Sequence, residues 1–130
     1  MKKLTSSALL LAIALIFVSG PAISSIQAQT EPTATPDLSA GKTLFNTNCV
    51  ACHLASGAGG VHFGSAVSAD LQSPGLEQTY RDNDHLIVRA ILEAKDQDGA
   101  PLDMPMPAWS GRISQAQAED IVAYLHTLHR

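Results

Sequence analysis

The chain has 130 residues, of which 8 are basic and 12 acidic, so its formal charge at pH 7 is −4. This length allows one small domain, and the negative charge disfavours nucleic acid and anionic lipid as partners. Aromatic residues make up only 5% of the chain. A domain of this size and composition can build only a limited apolar core from its own side chains.

Residues 1–28 have the pattern of an export signal peptide. Lys2 and Lys3 precede an uninterrupted apolar run over residues 8–18, and Ser-Gly-Pro at 19–21 ends it. Cleavage after Ala28 would leave 102 residues (130 − 28) with a charge of −6, because two of the 8 basic residues are removed. The alternative is an uncleaved membrane anchor. Either way we expect a periplasmic domain or one on the extracytoplasmic face of the cytoplasmic membrane.

Residues 29–37 are predicted to be an extended linker, because they are rich in threonine and proline and show no apolar period. The folded domain is then expected over residues 38–130. Its first helix should begin at Leu38 or Ser39, with Asp37 or Ser39 as the cap, and should lead directly into a pair of cysteines.

The pentapeptide at residues 49–53, Cys-Val-Ala-Cys-His, is what covalent attachment of a c-type haem requires. The sulfurs of Cys49 and Cys52 can each bond one porphyrin vinyl group, and His53 is then held under the iron. Three alternatives use the same residues: a thioredoxin-like redox pair, a zinc site that recruits other histidines, and a small disulfide loop. The predicted helix before Cys49 disfavours the redox pair, which normally lies near a β-α-β pattern.

Residues 55–64 contain four glycines and are predicted to form a loop whose backbone can pass close to a flat ligand. His62 lies in this loop. It is a candidate second axial ligand, although a single loop histidine is more often simply exposed.

A second helix is predicted with Asp82 as its N-cap and an end before Asp96. The apolar stripe of this helix is expected to consist of Leu86, Ile87, Ala90, Ile91 and Ala94. His85 and Arg89 share one side of the helix and could reach a haem propionate, but the interpretation as solvated surface residues is favoured.

Residues 102–109, Leu-Asp-Met-Pro-Met-Pro-Ala-Trp, are predicted to form an extended strap, because proline fixes φ and removes backbone donors. A methionine in such a strap can present its thioether to iron, which raises the reduction potential relative to two imidazoles. Spacing alone leaves Met104 and Met106 as alternatives. The other interpretation is that both methionines fill gaps in the core.

The last helix is predicted to start with a capping box formed by Ser114 and Gln117. Its apolar stripe is expected to comprise Ala118, Ile121, Val122, Leu125 and Leu128. The histidines that follow this stripe, His126 and His129, are expected to point mostly to solvent.

The first and last helices are expected to pack against each other. Gly41 would allow the two backbones to approach closely, and Phe45 could contact Tyr124.

Three segments in this order resemble the class I cytochromes c, which are small single-haem electron carriers. They are Gly-x-x-Leu-Phe leading to the pentapeptide (residues 41–53), Met-Pro-Ala-Trp-x-Gly-Arg-Ile-Ser (106–114) and Val-Ala-Tyr-Leu (122–125). The resemblance implies an all-α fold in which three or four helices wrap around one covalently bound haem c, with the first and last helices crossing. It also implies that His53 and Met106 are the iron ligands, with Met104 as the fallback.

One feature departs from the family's pattern. Related proteins often carry a proline in the loop after the attachment site, near the carbonyl that accepts the Nδ1 proton of the ligand histidine, and residues 54–73 contain none. A carbonyl from the region of Gly60 and Val61 is the expected substitute.

The function implied by the resemblance is one-electron transfer between redox partner proteins outside the cytoplasm, without enzyme activity. The carrier is expected to be a monomer with basic partner surfaces and to touch the membrane only through an uncleaved N-terminal segment. Two alternatives remain open. One is a haem enzyme or a gas or redox sensor with a displaceable sixth ligand, and the other is an electron-transfer subunit of a larger oxidase or dehydrogenase complex.

Overall fold

The computed structural model describes residues 35–103 and 105–130. The predicted export signal, residues 29–34 of the predicted linker and Met104 therefore lie outside the described residues. The described elements, in chain order, are α1 (Leu38–Asn48), α2 (Val50–His53), β1 (His62–Phe63), β2 (Ala66–Val67), α3 (Gly75–Thr79), α4 (Asp84–Glu93) and α5 (Gln115–Leu125). None of the helices in this part of the chain is long and apolar enough to cross a membrane.

Helix α1 begins directly after Asp37, as predicted. The carboxylate of Asp37 accepts hydrogen bonds from the N–H groups of Ser39 at 2.8 Å and Ala40 at 3.1 Å, which satisfies two donors of the first turn. At the other end, the N–H of Cys49 donates to the carbonyl of Phe45 at 2.8 Å. The chain therefore passes almost without interruption into α2, the single turn that carries the cysteine pair.

Helices α1 and α5 pack through the contacts expected from the sequence. A Cβ atom added to Gly41 would lie 1.9 Å from the carbonyl oxygen of Asp120, so only glycine permits this approach. The ring centroids of Phe45 and Tyr124 are 5.5 Å apart with an interplanar angle of 55°, a tilted geometry that suits aromatic pairs. Phe45 itself is fully buried at this contact.

Helix α4 forms where it was predicted, but the predicted cap was wrong. Asn83 caps the helix, since its Oδ1 accepts the N–H of His85 at 3.1 Å. An N-cap needs an extended backbone, which Asn83 has with φ −123° and ψ 99°, whereas Asp82 has a φ of 53°. The buried residues of the helix are Ile87, Val88, Ala90 and Ile91. Val88 thus belongs to the buried side, while Ala94 ends the helix in the left-handed conformation.

Helix α5 begins with the predicted capping box. The N–H of Gln117 donates to Ser114 Oγ at 3.2 Å, and the N–H of Ser114 donates to Gln117 Oε1 at 2.9 Å. Its buried residues are Ala118, Ile121, Val122 and Leu125. Leu128 lies beyond the end of the helix but still packs against the core.

The two histidines after α5 differ in their surroundings. His129 is exposed, as predicted. The expectation for His126 was wrong, because its ring lies between the carboxylates of Glu77 and Asp84. These partners come from α3 and α4, and the sequence contains no local signal for such long-range contacts.

Helix α3 occupies a stretch for which the sequence analysis predicted no helix. One short helix here places Leu76 in the core and brings Tyr80, directly after its end, to the same side. Leu76 is part of the core, and the partly buried Leu71 packs against it. Residues 71–80 therefore contribute one side of the hydrophobic core.

Candidate haem site

A cavity of about 580 Å³ lies beside the cysteine pair, within the roughly 300–1,000 Å³ typical of cofactor sites. All five helices, both strands and the proline-rich strap contribute to its walls. Its apolar lining includes Phe45, Leu71, Leu76, Ile87, Ile91, Leu102, Ile121 and Leu125. A flat apolar group suits this space, because most of its wall consists of apolar side chains.

Cys49 and Cys52 are half-buried, line the cavity and are not joined to each other by a disulfide bond. Burial raises the pKa of the Cys49 thiol to about 11, and the neighbouring Cys52 adds to the effect. This is opposite to the lowered pKa of a catalytic redox cysteine, about 7 in thioredoxin, so the redox-pair interpretation is disfavoured. A zinc site is disfavoured too, since the described residues contain no group of three or more metal-binding side chains that could hold an ion.

The His53 ring is oriented by a backbone hydrogen bond. Its side chain lines the cavity, the residue is only 8% exposed, and Nδ1 lies 2.9 Å from the carbonyl oxygen of Ala69. Because a carbonyl can only accept, Nδ1 must carry the proton, which leaves the lone pair of a neutral ring on Nε2. Burial lowers the pKa of His53, and the bond to Ala69 offsets part of this effect. His53 is therefore a neutral imidazole of the kind that binds iron.

The acceptor for His53 is Ala69, so the expectation of a carbonyl from Gly60 or Val61 was wrong. The reason is the hairpin that follows. The N–H of Ser68 donates to the Val61 carbonyl and the N–H of Gly60 donates to the Ser68 carbonyl, both at 2.9 Å. This pairing uses the Val61 carbonyl and brings residues 68 and 69 back towards the attachment site.

The strap contributes Met106 to the cavity, together with Pro105, Pro107 and Trp109. Met106 is half-buried. Both ends of the strap are tied to α4 or its C-cap: the N–H of Leu102 donates to the Ala94 carbonyl at 2.8 Å, and the N–H of Trp109 donates to the Ile91 carbonyl at 3.1 Å. The strap thus holds a thioether at the same cavity as His53.

Three other residues considered from the sequence lie away from the described lining. His62 is exposed on β1, and His85 is exposed on α4. The guanidinium of Arg89 is half-buried, and its Nη2 donates to the backbone carbonyl of Asp96 at 2.6 Å. Arg89 therefore stabilises the turn after α4, and the cavity lining includes none of these three side chains.

Sequence reasoning missed several residues that line the cavity. Phe63 and Val67 lie on the two strands of the hairpin, and Tyr80 follows α3. The hairpin had a local signal, since Gly64 separates two short apolar segments as a tight turn does. Tyr80 had none, because its role depends on how α3 packs.

Comparison with known proteins gives consistent matches. The family model described as Cytochrome c matches residues 38–129. A cytochrome c6 from Chlorolobion braunii is 35% identical over 92 residues, which cover 69% of this chain and 89% of the relative. A cytochrome c6 from Thermosynechococcus vestitus is 30% identical over 112 residues, covering 85% and 87%. A cytochrome c6 from a Synechococcus strain is 30% identical over 96 residues, covering 72% of each chain.

The matched region extends over all the described helices, and it contains the cysteine pair with the spacing of a haem c attachment motif. The enzyme or sensor alternative is not favoured by these relatives. The chain therefore belongs to the cytochrome c family, as a mostly helical electron carrier, not an enzyme, with one covalent haem c at Cys49 and Cys52.

Proposed function

We propose that Cys49 and Cys52 form the two thioether bonds and that His53 and Met106 are the axial ligands of the iron. The observation that carries this proposal is the bond from His53 Nδ1 to Ala69, which leaves Nε2 free at a cavity that Met106 also lines. Bound haem supplies the one-electron change between ferrous and ferric iron. The chain's residues position it, exclude water and set its potential.

The surroundings of the cavity favour the reduced state of such a cofactor. A thioether is a soft ligand that stabilises ferrous over ferric iron, and the Met106 sulfur belongs to a side chain in an apolar wall. Low polarity around the site disfavours the extra positive charge of the ferric form. Together these effects raise the reduction potential above that of a site with two imidazole ligands.

The haem content is tested on the full chain produced in a host that matures c-type cytochromes. Pyridine haemochrome analysis should report one haem with both vinyl groups saturated, and the intact mass should exceed that of the polypeptide by one haem. The same mass spectrum locates the mature N-terminus. A mass equal to the bare polypeptide would contradict the proposal.

The assignment of Met106 is tested by Met106→Leu, with Met104→Leu as the matched control. Leucine has no sulfur, so Met106→Leu should abolish the charge-transfer band of the methionine–iron bond in the ferric protein. It should also lower the reduction potential. Met104→Leu should leave the band unchanged. Loss of the band in Met104→Leu but not in Met106→Leu would move the ligand to Met104.

The place and partners of this carrier are also part of the proposal. Residues 1–28 would direct the chain out of the cytoplasm, as a cleaved signal or as an anchor, and the domain at 38–130 would act as a monomer in the periplasm or on the membrane's outer face. Residues 43–69 contain no Asp, Glu, Lys or Arg, and Leu54, Phe63 and Val67 are exposed there. We expect a redox partner to have an apolar contact surface surrounded by basic residues. The apolar surface would meet residues 43–69 near the haem, and the basic residues would meet the acidic remainder of this domain.

A further inference from the structure

His126 lies directly after α5, between two carboxylates that belong to other helices. Its Nδ1 is 2.7 Å from Glu77 Oε1 on α3, and its Nε2 is 3.0 Å from Asp84 Oδ1 at the start of α4. The side chain of His126 is 34% exposed and that of Glu77 only 16%. Glu77 also accepts a hydrogen bond from the hydroxyl of Ser73. We name His126, Glu77 and Asp84 the three-helix cluster.

The donors and acceptors of the cluster determine the charge of His126. A neutral imidazole has one N–H and one bare nitrogen, so one of the two carboxylates would face a lone pair. Both contacts are satisfied only when the ring carries two protons. The position adds to this preference, because a cation is favoured at the C-terminus of α5 and an anion such as Asp84 in the first turn of α4.

The pKa directions agree with this geometry. Burial alone lowers the pKa of His126, but hydrogen bonds and charge from Glu77 and Asp84 outweigh it and raise the pKa. Burial likewise raises the pKa of Glu77, but hydrogen bonds from Ser73 and His126 outweigh it and lower the pKa. The ionisable groups that act on His126 are these two carboxylates, one from each of the two helices that contact it.

Each member of the cluster lies within three residues, along the chain, of a residue that lines the haem cavity. Leu76 precedes Glu77, Leu125 precedes His126, and Ile87 lies about one turn after Asp84; all three line the cavity. The three helices that meet at His126 therefore also provide three parts of the cavity wall.

We infer that protonated His126 is a positioning residue that holds α3, α4 and α5 together around the haem, and that loss of its proton loosens this wall. A neutral ring keeps at most one of its two carboxylate partners. Glu77 has an Oε2 atom that is buried without a hydrogen-bond partner in the described structure. Without the imidazolium, the charge of the partly buried Glu77 is no longer compensated, which favours a shift of α3 that brings this carboxylate to water.

The protonation of His126 is tested by NMR titration of the histidine rings in the ferrous holoprotein. We expect the His126 midpoint to lie above the ordinary value of about 6.5 and to fall towards it in Asp84→Asn. A wild-type midpoint at or below the ordinary value would overturn the inference. This measurement does not depend on which residues bind the iron.

The link to the cavity is tested by carbon monoxide, an uncharged ligand that does not titrate. In the wild-type ferrous protein, its association rate should rise several-fold as pH passes the His126 midpoint. In His126→Gln it should be fast on both sides of that pH, whereas the exposed control His129→Gln should behave like wild type. A wild-type rate that does not change with pH would overturn the link, and so would a His126→Gln rate that is as slow as the wild-type rate below the midpoint. The carbon monoxide test rests on the proposed iron ligation, whereas the NMR test does not. Failure of the carbon monoxide test alone is therefore distinguishable from failure of the NMR test.

Discussion

The orientation of the His53 ring depends on a main-chain carbonyl, so no side-chain substitution removes its partner directly. The carbonyl of Ala69 lies in close backbone contact with Gly59. A Cβ atom on Gly59 would lie 2.2 Å from the Ala69 oxygen. Gly60, the next residue, has nothing within 4 Å of such an atom. Alanine substitutions at these two adjacent glycines therefore distinguish the cost of backbone strain from the cost of a steric contact.

Gly59→Ala should be much more destabilising than Gly60→Ala. Both glycines have positive φ, 61° and 80°, so alanine incurs a similar strain of roughly 1–2 kcal/mol at either position. Only Gly59→Ala also pushes against the carbonyl that orients His53, which should cost at least about 2 kcal/mol more. Denaturant unfolding of the two holoproteins measures the difference. Equal losses would show that the Gly59 contact is not needed.

At the scale of elements, the crossing of α1 and α5 is the contact on which the cysteine pair depends, because α2 continues directly from α1. Gly41 lies against the backbone of Asp120, and Phe45 packs on Tyr124 one turn later. A shift of α1 would therefore displace Cys49 and Cys52 relative to the cavity wall formed by α5.

Gly41→Ala has two opposing effects on stability. Alanine in a helix interior is favoured over glycine by about 1 kcal/mol, but the added Cβ would overlap the Asp120 carbonyl at 1.9 Å. Overpacking of about 3 kcal/mol should prevail, for a net loss of about 2 kcal/mol. Thermal or denaturant unfolding of the holoprotein measures it, with the exposed Asn46→Ala on the same helix as control. A stabilised Gly41→Ala would contradict the close crossing.

The three-helix cluster predicts how stability depends on pH. The folded-state pKa of His126 is raised, so its contribution is complete below the unfolded pKa and is lost as pH rises through the folded value. The folded-state pKa of Glu77 is lowered, so its contribution is present above the unfolded pKa and is lost as pH falls through the folded value. The free energy of unfolding should therefore decline on the alkaline side. His126→Gln should flatten that decline, and His129→Gln should not.

At the scale of the whole molecule, the largest group in the core is the haem and not an amino-acid side chain. A cavity of 580 Å³ occupies the centre of the apolar contacts from all five helices. Without haem these apolar walls would face water or collapse onto one another, and either change removes apolar burial from a domain whose entire stability is only about 5–15 kcal/mol.

The chain without haem should therefore fail to hold its native tertiary structure. The double variant Cys49→Ala/Cys52→Ala, which cannot form thioether bonds, should lose the near-ultraviolet circular dichroism of its packed aromatic residues and much of its helix signal. The matured wild-type holoprotein is the control. Cooperative thermal unfolding of the haem-free variant would contradict the expectation.

Local rules sufficed for the elements whose signals lie within a few residues. The caps of Asp37 and Ser114, the stripe of α5 and the pentapeptide with its haem chemistry were all predicted, because each depends on near neighbours in the chain. The Met-Pro strap was also singled out, and its role as the source of an iron ligand stays a prediction. The cap of α4 was assigned one residue early, since the positive φ of Asp82 depends on the preceding turn and not on residue type.

The sequence alone indicated the haem chemistry of this protein, because covalent haem attachment requires particular side chains at a particular spacing. The tertiary structure decided which distant groups serve those side chains. Ala69 became the acceptor for His53 because the hairpin folds back, and His126 became an ion-pair partner because three helices converge. Such contacts join residues far apart in the chain, and their energies depend on burial and on the exact placement of oxygen atoms, which no local pattern of residue types encodes.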